Sequence, residues 1–90
     1  MPTRRKSTPR SPDHAVLGQA IEVLIAKDAR MTQETVAADA GLNIKQVGTY
    51  ARGQGNPTYV NLRKLCRGLH VSPVQLLALV DELEREGMRR

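Results

Sequence analysis

Apolar residues recur at helical spacing along most of the chain from Asp13 onward. Leu17, Ile21, Leu24 and Ile25 stand at i, i+4, i+7 and i+8, one stripe of a first helix that Asp13 is placed to N-cap. Thr32 precedes Gln33, Glu34 and Thr35, a capping residue followed by negative charge; Val36, Ala37 and Ala40 then mark the inner face of a short second helix that Gly41 stops. Asn43 can cap a third helix running through Arg52, with Val47, Tyr50 and Ala51 inside and Gly53 ending it. "GQGNP" is a loop. Thr58 then caps a fourth helix whose stripe is Leu62, Leu65, Cys66 and Leu69. Ser72 caps a fifth, with Pro73 in its first turn and Val74, Leu76, Leu77, Val80 and Leu83 apolar behind it. No strand pattern and no repeat interrupts these elements, so the expected class is all-α, a compact five-helix domain.

The second and third helices stand close together, and their sizes fit a steep crossing. Ala37 is small where the third helix would cross, Gly41 can turn the chain through a left-handed backbone, and Val47 can plug the crossing. Gly48 is a different matter. It lies inside the third helix, where it costs about 1 kcal/mol relative to Ala. Either it permits a close approach, leaving room for Lys45 and Thr49, or it is a tolerated weakness.

Composition and charge narrow the function. The chain has 90 residues and net charge +5, enough for one small domain that buries about 60–65% of its unfolded surface. Residues 1–12, "MPTRRKSTPRSP", carry Arg4, Arg5, Lys6 and Arg10 without an acid and read as a disordered basic arm. The expected divisions are arm 1–12, domain 13–86 and tail 87–90. Between Asp39 and Asp81 stand Lys45, Arg52, Arg63, Lys64 and Arg67, again without an acid. That band is either a solvated face or the footprint of a polyanion. No run of about 18 apolar residues supports a membrane span, and no apolar stretch follows the basic start to suggest a secretory signal, so the expected location is cytoplasmic. A single cysteine, Cys66, with the distant His14 and His70 makes no zinc set, and no metal or other cofactor is expected. Catalysis has no support, because no His, Cys or acid cluster stands at useful spacing and Ser7, Ser11 and Ser72 have no base nearby in sequence.

Residues 15 to 80 resemble the lambda-repressor-like, or Xre/Cro-type, helix-turn-helix family. The residues that carry the likeness are "LGQAI", "TQETVA", "AGLNIKQVGTYARG" and "NPTYVNLRKLCRGLHVSPVQLL", with the helix-turn-helix itself at 32–53. The resemblance implies a regulator that lays its third helix in the major groove of duplex DNA, commonly as a two-fold dimer on a palindromic site. It implies base contacts from Ile44, Lys45, Gln46, Gly48 and Thr49, and phosphate contacts from Gln33, Asn43, Arg52, Asn56, Tyr59 and Lys64. Lys45 suits guanine O6 and N7, Gln46 suits adenine or a phosphate, and Ile44 and the Thr49 methyl suit a thymine methyl. The cations of the arm could follow a groove.

One departure stands out. Many members pair an arginine late in the first helix with a glutamate late in the third; here those positions are Ile25 or Ala26 and Ala51. Losing both charges together need not harm the fold, and an apolar contact between the two helices is expected instead. The fifth helix is more apolar than one face needs, so Leu77, Leu79 and Leu83 are expected to form a homodimer seam. The rival function is a helical protein-interaction adaptor or antitoxin-like partner that uses those leucines and has only non-specific affinity for DNA.

Overall fold

The computed structural model describes residues 12–88. Its elements are α1 (Pro12–Ala26), α2 (Gln33–Ala40), α3 (Ile44–Ala51), α4 (Tyr59–Leu69) and α5 (Pro73–Met88), and there is no strand among the described residues. The basic arm, with Arg4, Arg5, Lys6 and Arg10, lies outside the described residues.

Side-chain caps start four of the helices, each satisfying an amide that the first turn leaves without a partner. Thr32 Oγ1 accepts from Thr35 N at 3.1 Å while Thr35 Oγ1 accepts from Thr32 N at 2.9 Å, a reciprocal box. Asn43 and Gln46 form a second box, and Ser72 and Gln75 a third. Thr58 Oγ1 accepts from Asn61 N. Asp13 is not the cap of α1. The helix already begins at Pro12, which needs no amide partner there, so Asp13 instead places its charge in the first turn.

Gly41 makes the α2–α3 turn at φ 72°, and Leu42 N donates to Ala37 O across it at 3.0 Å. α3 ends one residue earlier than its pattern suggests, at Ala51, with Arg52 as its cap. α4 ends in a left-handed cap of the same kind at His70, φ 61°, the only non-glycine with positive φ among the described residues. His70 Nε2 stands 3.3 Å from Asp39 Oδ2 on α2, which ties the strained cap to the helix beneath it.

Ile21, Val36, Ala37, Val47, Tyr50, Ala51, Leu65 and Leu69 form the main core, where α1 to α4 meet. Ala20, Cys66 and Leu76 form a second cluster between α1, α4 and α5, with Leu79, Val80 and Leu83 half-buried against it. Each fully buried Ile, Leu or Val stabilises the fold by about 1.5–3 kcal/mol. The α1–α3 contact is closer than an apolar side-chain contact: a Cβ on Gly18 would sit 2.5 Å from Ala51 O and 2.8 Å from Gly53 N. Backbone rests on backbone there. Ala51 also borders an open hollow of about 680 Å³ with Gln19, Glu22, Arg52 and Gln54 on its rim.

Candidate nucleic-acid interface

α3 has eight residues, so it is about 12 Å long, a length that suits the width of a major groove. Its inner face carries Val47, Tyr50 and Ala51, which leaves the first turn pointing out. Ile44, Lys45 and Gln46 are all exposed, Ile44 to 44% despite its apolar side chain. Lys45 N donates to Asn43 Oδ1 at 2.7 Å, and Asn43 N donates to Gln46 Oε1 at 3.0 Å. The cap therefore engages Asn43 and the amide oxygen of Gln46, and a bidentate pair between Gln46 and adenine requires that oxygen to be released first.

Two of the expected base-contact positions are placed differently from the rest. Thr49 is half-buried; its hydroxyl donates to Lys45 O at 2.8 Å, and its methyl lies toward the loop, 3.0 Å from where a Cβ on Gly55 would be. Gly48 is buried, lying on the outer side of α3 but covered by other side chains. The atoms covering it belong to Arg52, whose Nη1 is 3.2 Å from a Cβ built on the glycine, and to Gln33, whose Oε1 is 3.3 Å away. A glycine inside a helix has no side chain to keep neighbours off, and two long polar side chains have taken the space.

The expected phosphate contacts fall into two groups. Gln33, in the first turn of α2, and Arg52, the cap of α3, come together over Gly48, and Arg52 Nε donates to Gln54 Oε1 at 3.3 Å. Asn56, Tyr59 and Lys64 belong to the following loop and α4. Asn56 is exposed, Lys64 is half-buried, and Tyr59 is 69% exposed, its hydroxyl accepting from Arg63 Nη1 at 2.9 Å with the guanidinium 5.8 Å from the ring centroid. The loop is anchored from beneath, because Asn61 Nδ2 donates to Tyr50 OH at 3.1 Å. Gln54 had no signal of its own in the sequence, and Arg63 stood out there only as one cation of the acid-free band. Gln54 is one more polar residue in a loop, and its role depends on where the Arg52 side chain goes.

The charges between Asp39 and Asp81 are of one sign, while α2 brings the exposed Glu34 next to Gln33. Among the described residues, neither the Arg30–Asp28 ion pair nor the contact of His70 with Asp39 involves a lysine or arginine between Asp39 and Asp81. Those cations keep their charge uncompensated by acids, the condition for attracting a polyanion. Burial pushes the Cys66 thiol up from its ordinary range, against the opposing pull of Arg63 and Arg67. No group of three or more His, Cys, Asp or Glu among the described residues is placed to hold a metal, and no helix among them is long and apolar enough to cross a membrane.

On α5, Leu77 is 52% exposed and Val74 77%, whereas Leu79 and Leu83 pack against the second core cluster. The exposed apolar surface of this helix is therefore narrower than the three leucines suggest and includes Val74. α5 lies along α1, and Leu79 and Leu83 are half-buried in the cluster that these helices form with α4.

Known proteins share this architecture. Residues 25–76 match the family model described as helix-turn-helix. The chain is 34% identical over 58 residues to an uncharacterized HTH-type transcriptional regulator, y4dJ, of Sinorhizobium fredii, spanning 64% of this chain and 75% of that protein. The crystal structure of the restriction-modification controller protein C.AhdI from Aeromonas hydrophila superposes with a TM-score of 0.68 and 35% identity, over 73% of this chain and 98% of that one. The wild-type controller protein C.Esp1396I shares the fold at a TM-score of 0.73 and 23% identity, over 81% of this chain and 94% of that one. With its capped α2, glycine turn and exposed α3, the chain belongs to the lambda-repressor-like helix-turn-helix family of DNA-binding transcriptional regulators.

Proposed function

We propose that the protein is a sequence-specific repressor that binds a palindromic operator as a homodimer, with α3 of each copy in the major groove. The observation that carries this reading is the stripe Lys45, Gly48, Arg52 along α3, flanked by Gln33 and set in a stretch of chain without acids. Ile44, Lys45 and Gln46 then face base edges; Gln33, Arg52 and Asn43, and separately Asn56, Tyr59 and Lys64 of the loop and α4, face phosphates and fix the register. The binding unit is residues 13–86, and the arm 1–12 adds charge. Such a protein works on the chromosome in the cytoplasm and catalyses nothing.

Self-association uses α5. Leu77 and Val74 give it an exposed apolar surface, and Leu77 borders an apolar hollow of about 330 Å³ with Leu17, Pro57 and Leu62. The likeness to C.AhdI, a controller protein of similar extent, supports a regulator built on this fold.

Lys45→Ala tests the assignment of α3. Binding to the preferred duplex should weaken by about 10- to 100-fold, the equivalent of 1–3 kcal/mol for a base-reading contact, while binding to scrambled duplex changes far less. Equal losses on both duplexes would make Lys45 a phosphate contact and remove it from the readers.

A further inference from the structure

Gly48 sits where a side chain would be expected on the outer side of α3, one turn after Lys45 and one before Arg52. Glycine is among the poorest residues for a helix interior, so its presence there calls for a physical reason. The space its side chain would take is shared by two groups from different helices: Arg52 Nη1, 3.2 Å from a Cβ at that point, and Gln33 Oε1, 3.3 Å from it. The Lys45 side chain is not among the atoms that a Cβ there would meet. The gap thus serves Gln33 and Arg52. Gln54 Oε1 accepts from Arg52 Nε at 3.3 Å and braces the guanidinium on its other edge. Arg52 remains exposed and Gln33 half-exposed, so their outer edges face solvent while their inner edges cover the glycine.

We infer that Gly48 is a positioning residue, whose missing side chain seats Gln33 and Arg52 side by side as a two-armed clamp on one backbone phosphate. The inference rests on the DNA-binding reading above. The chemistry fits a phosphate: the planar guanidinium offers parallel N–H donors matched to two phosphate oxygens, and the glutamine amide adds a neutral donor on a second helix, which fixes the distance between α2 and the strand. Gly48 itself then touches no base. A methyl at this position would meet only the far ends of two flexible side chains, so the helix accepts it, but both arms must give way by a few tenths of an ångström, which disturbs the seat they share.

Gly48→Ala, Gln33→Ala with Arg52→Ala, and the triple variant are compared with the wild type by melting temperature and by salt titration of binding to a selected and a scrambled duplex. Gly48→Ala should melt about 4 °C higher, because alanine is the better helix former. It should bind about tenfold more weakly to both duplexes alike, with a log–log salt slope shallower by about 0.9, as expected when one fewer phosphate is neutralised. In the background lacking Gln33 and Arg52 side chains it should cost nothing further. Unchanged affinity and slope would overturn the inference, as would an equal loss in that background, which would mean that Gly48 acts elsewhere. If Lys45→Ala still abolishes site preference in those cases, the DNA-binding reading stands alone; a wild type with no affinity for duplex overturns both.

Discussion

Cys66 illustrates what burial does to a single reactive group. It is 2% exposed in the second core cluster, and the loss of solvent disfavours its thiolate more than Arg63 and Arg67 favour it. The folded chain therefore keeps the thiol protonated to higher pH than the unfolded chain does. This contribution to stability is present below the ordinary thiol range and is lost as pH rises from that range through the higher value of the folded thiol. Alkylation by iodoacetamide at pH 8 should be more than about tenfold slower in the native protein than in denaturant, since reaction must wait for opening; equal rates would show that α4 and α5 do not seal this cluster. Single residues with a local signature were legible in the sequence, among them Thr32 and Asn43 as caps and Gly41 as the turn. Gly48 was not. Its spacing from Lys45 suggested an outward position, and only the placement of two long side chains from elsewhere shows that it is covered.

Helices pack where their backbones can approach, and Gly18 sets that distance for α1 and α3. Its absent side chain lets the end of α3 lie directly on α1, and a Cβ would collide with Ala51 O and Gly53 N, neither of which can rotate away. Gly18→Ala should lower stability by about 2–3 kcal/mol in a urea titration, an overpacking penalty larger than the helix-propensity gain. A more stable variant would mean that the two helices slide apart freely. The periodicity of apolar residues located all five helices, because each buries one stripe. It located their ends less well, since α1 starts on a proline that the pattern does not see and α4 stops at a histidine that takes the left-handed form usually left to glycine. The excess of leucine on α5 was visible as well, but which leucines α1 covers depends on how the two helices lie together, and no single-chain pattern contains that.

Across the whole molecule, charge is sorted as function requires. The acids lie in α1, α2 and α5 with their flanking turns, and the chain from the turn after α2 to the start of α5 has cations alone. Charge placement and the motif residues made the DNA-binding class legible in the sequence, because a capped α2, a glycine turn and a branched plug are all needed for one steep crossing. The operator was not legible, since it is set by how α3 sits in the groove and by the spacing between two copies. The central claim is that two copies present α3 to successive turns of one DNA face. Selection of bound sites from a random duplex library tests it most directly: the expected result is an enriched palindrome with half-sites about one helical turn, roughly 10 base pairs, apart. An enriched single half-site without a symmetric mate, or no enriched sequence at all, would contradict it.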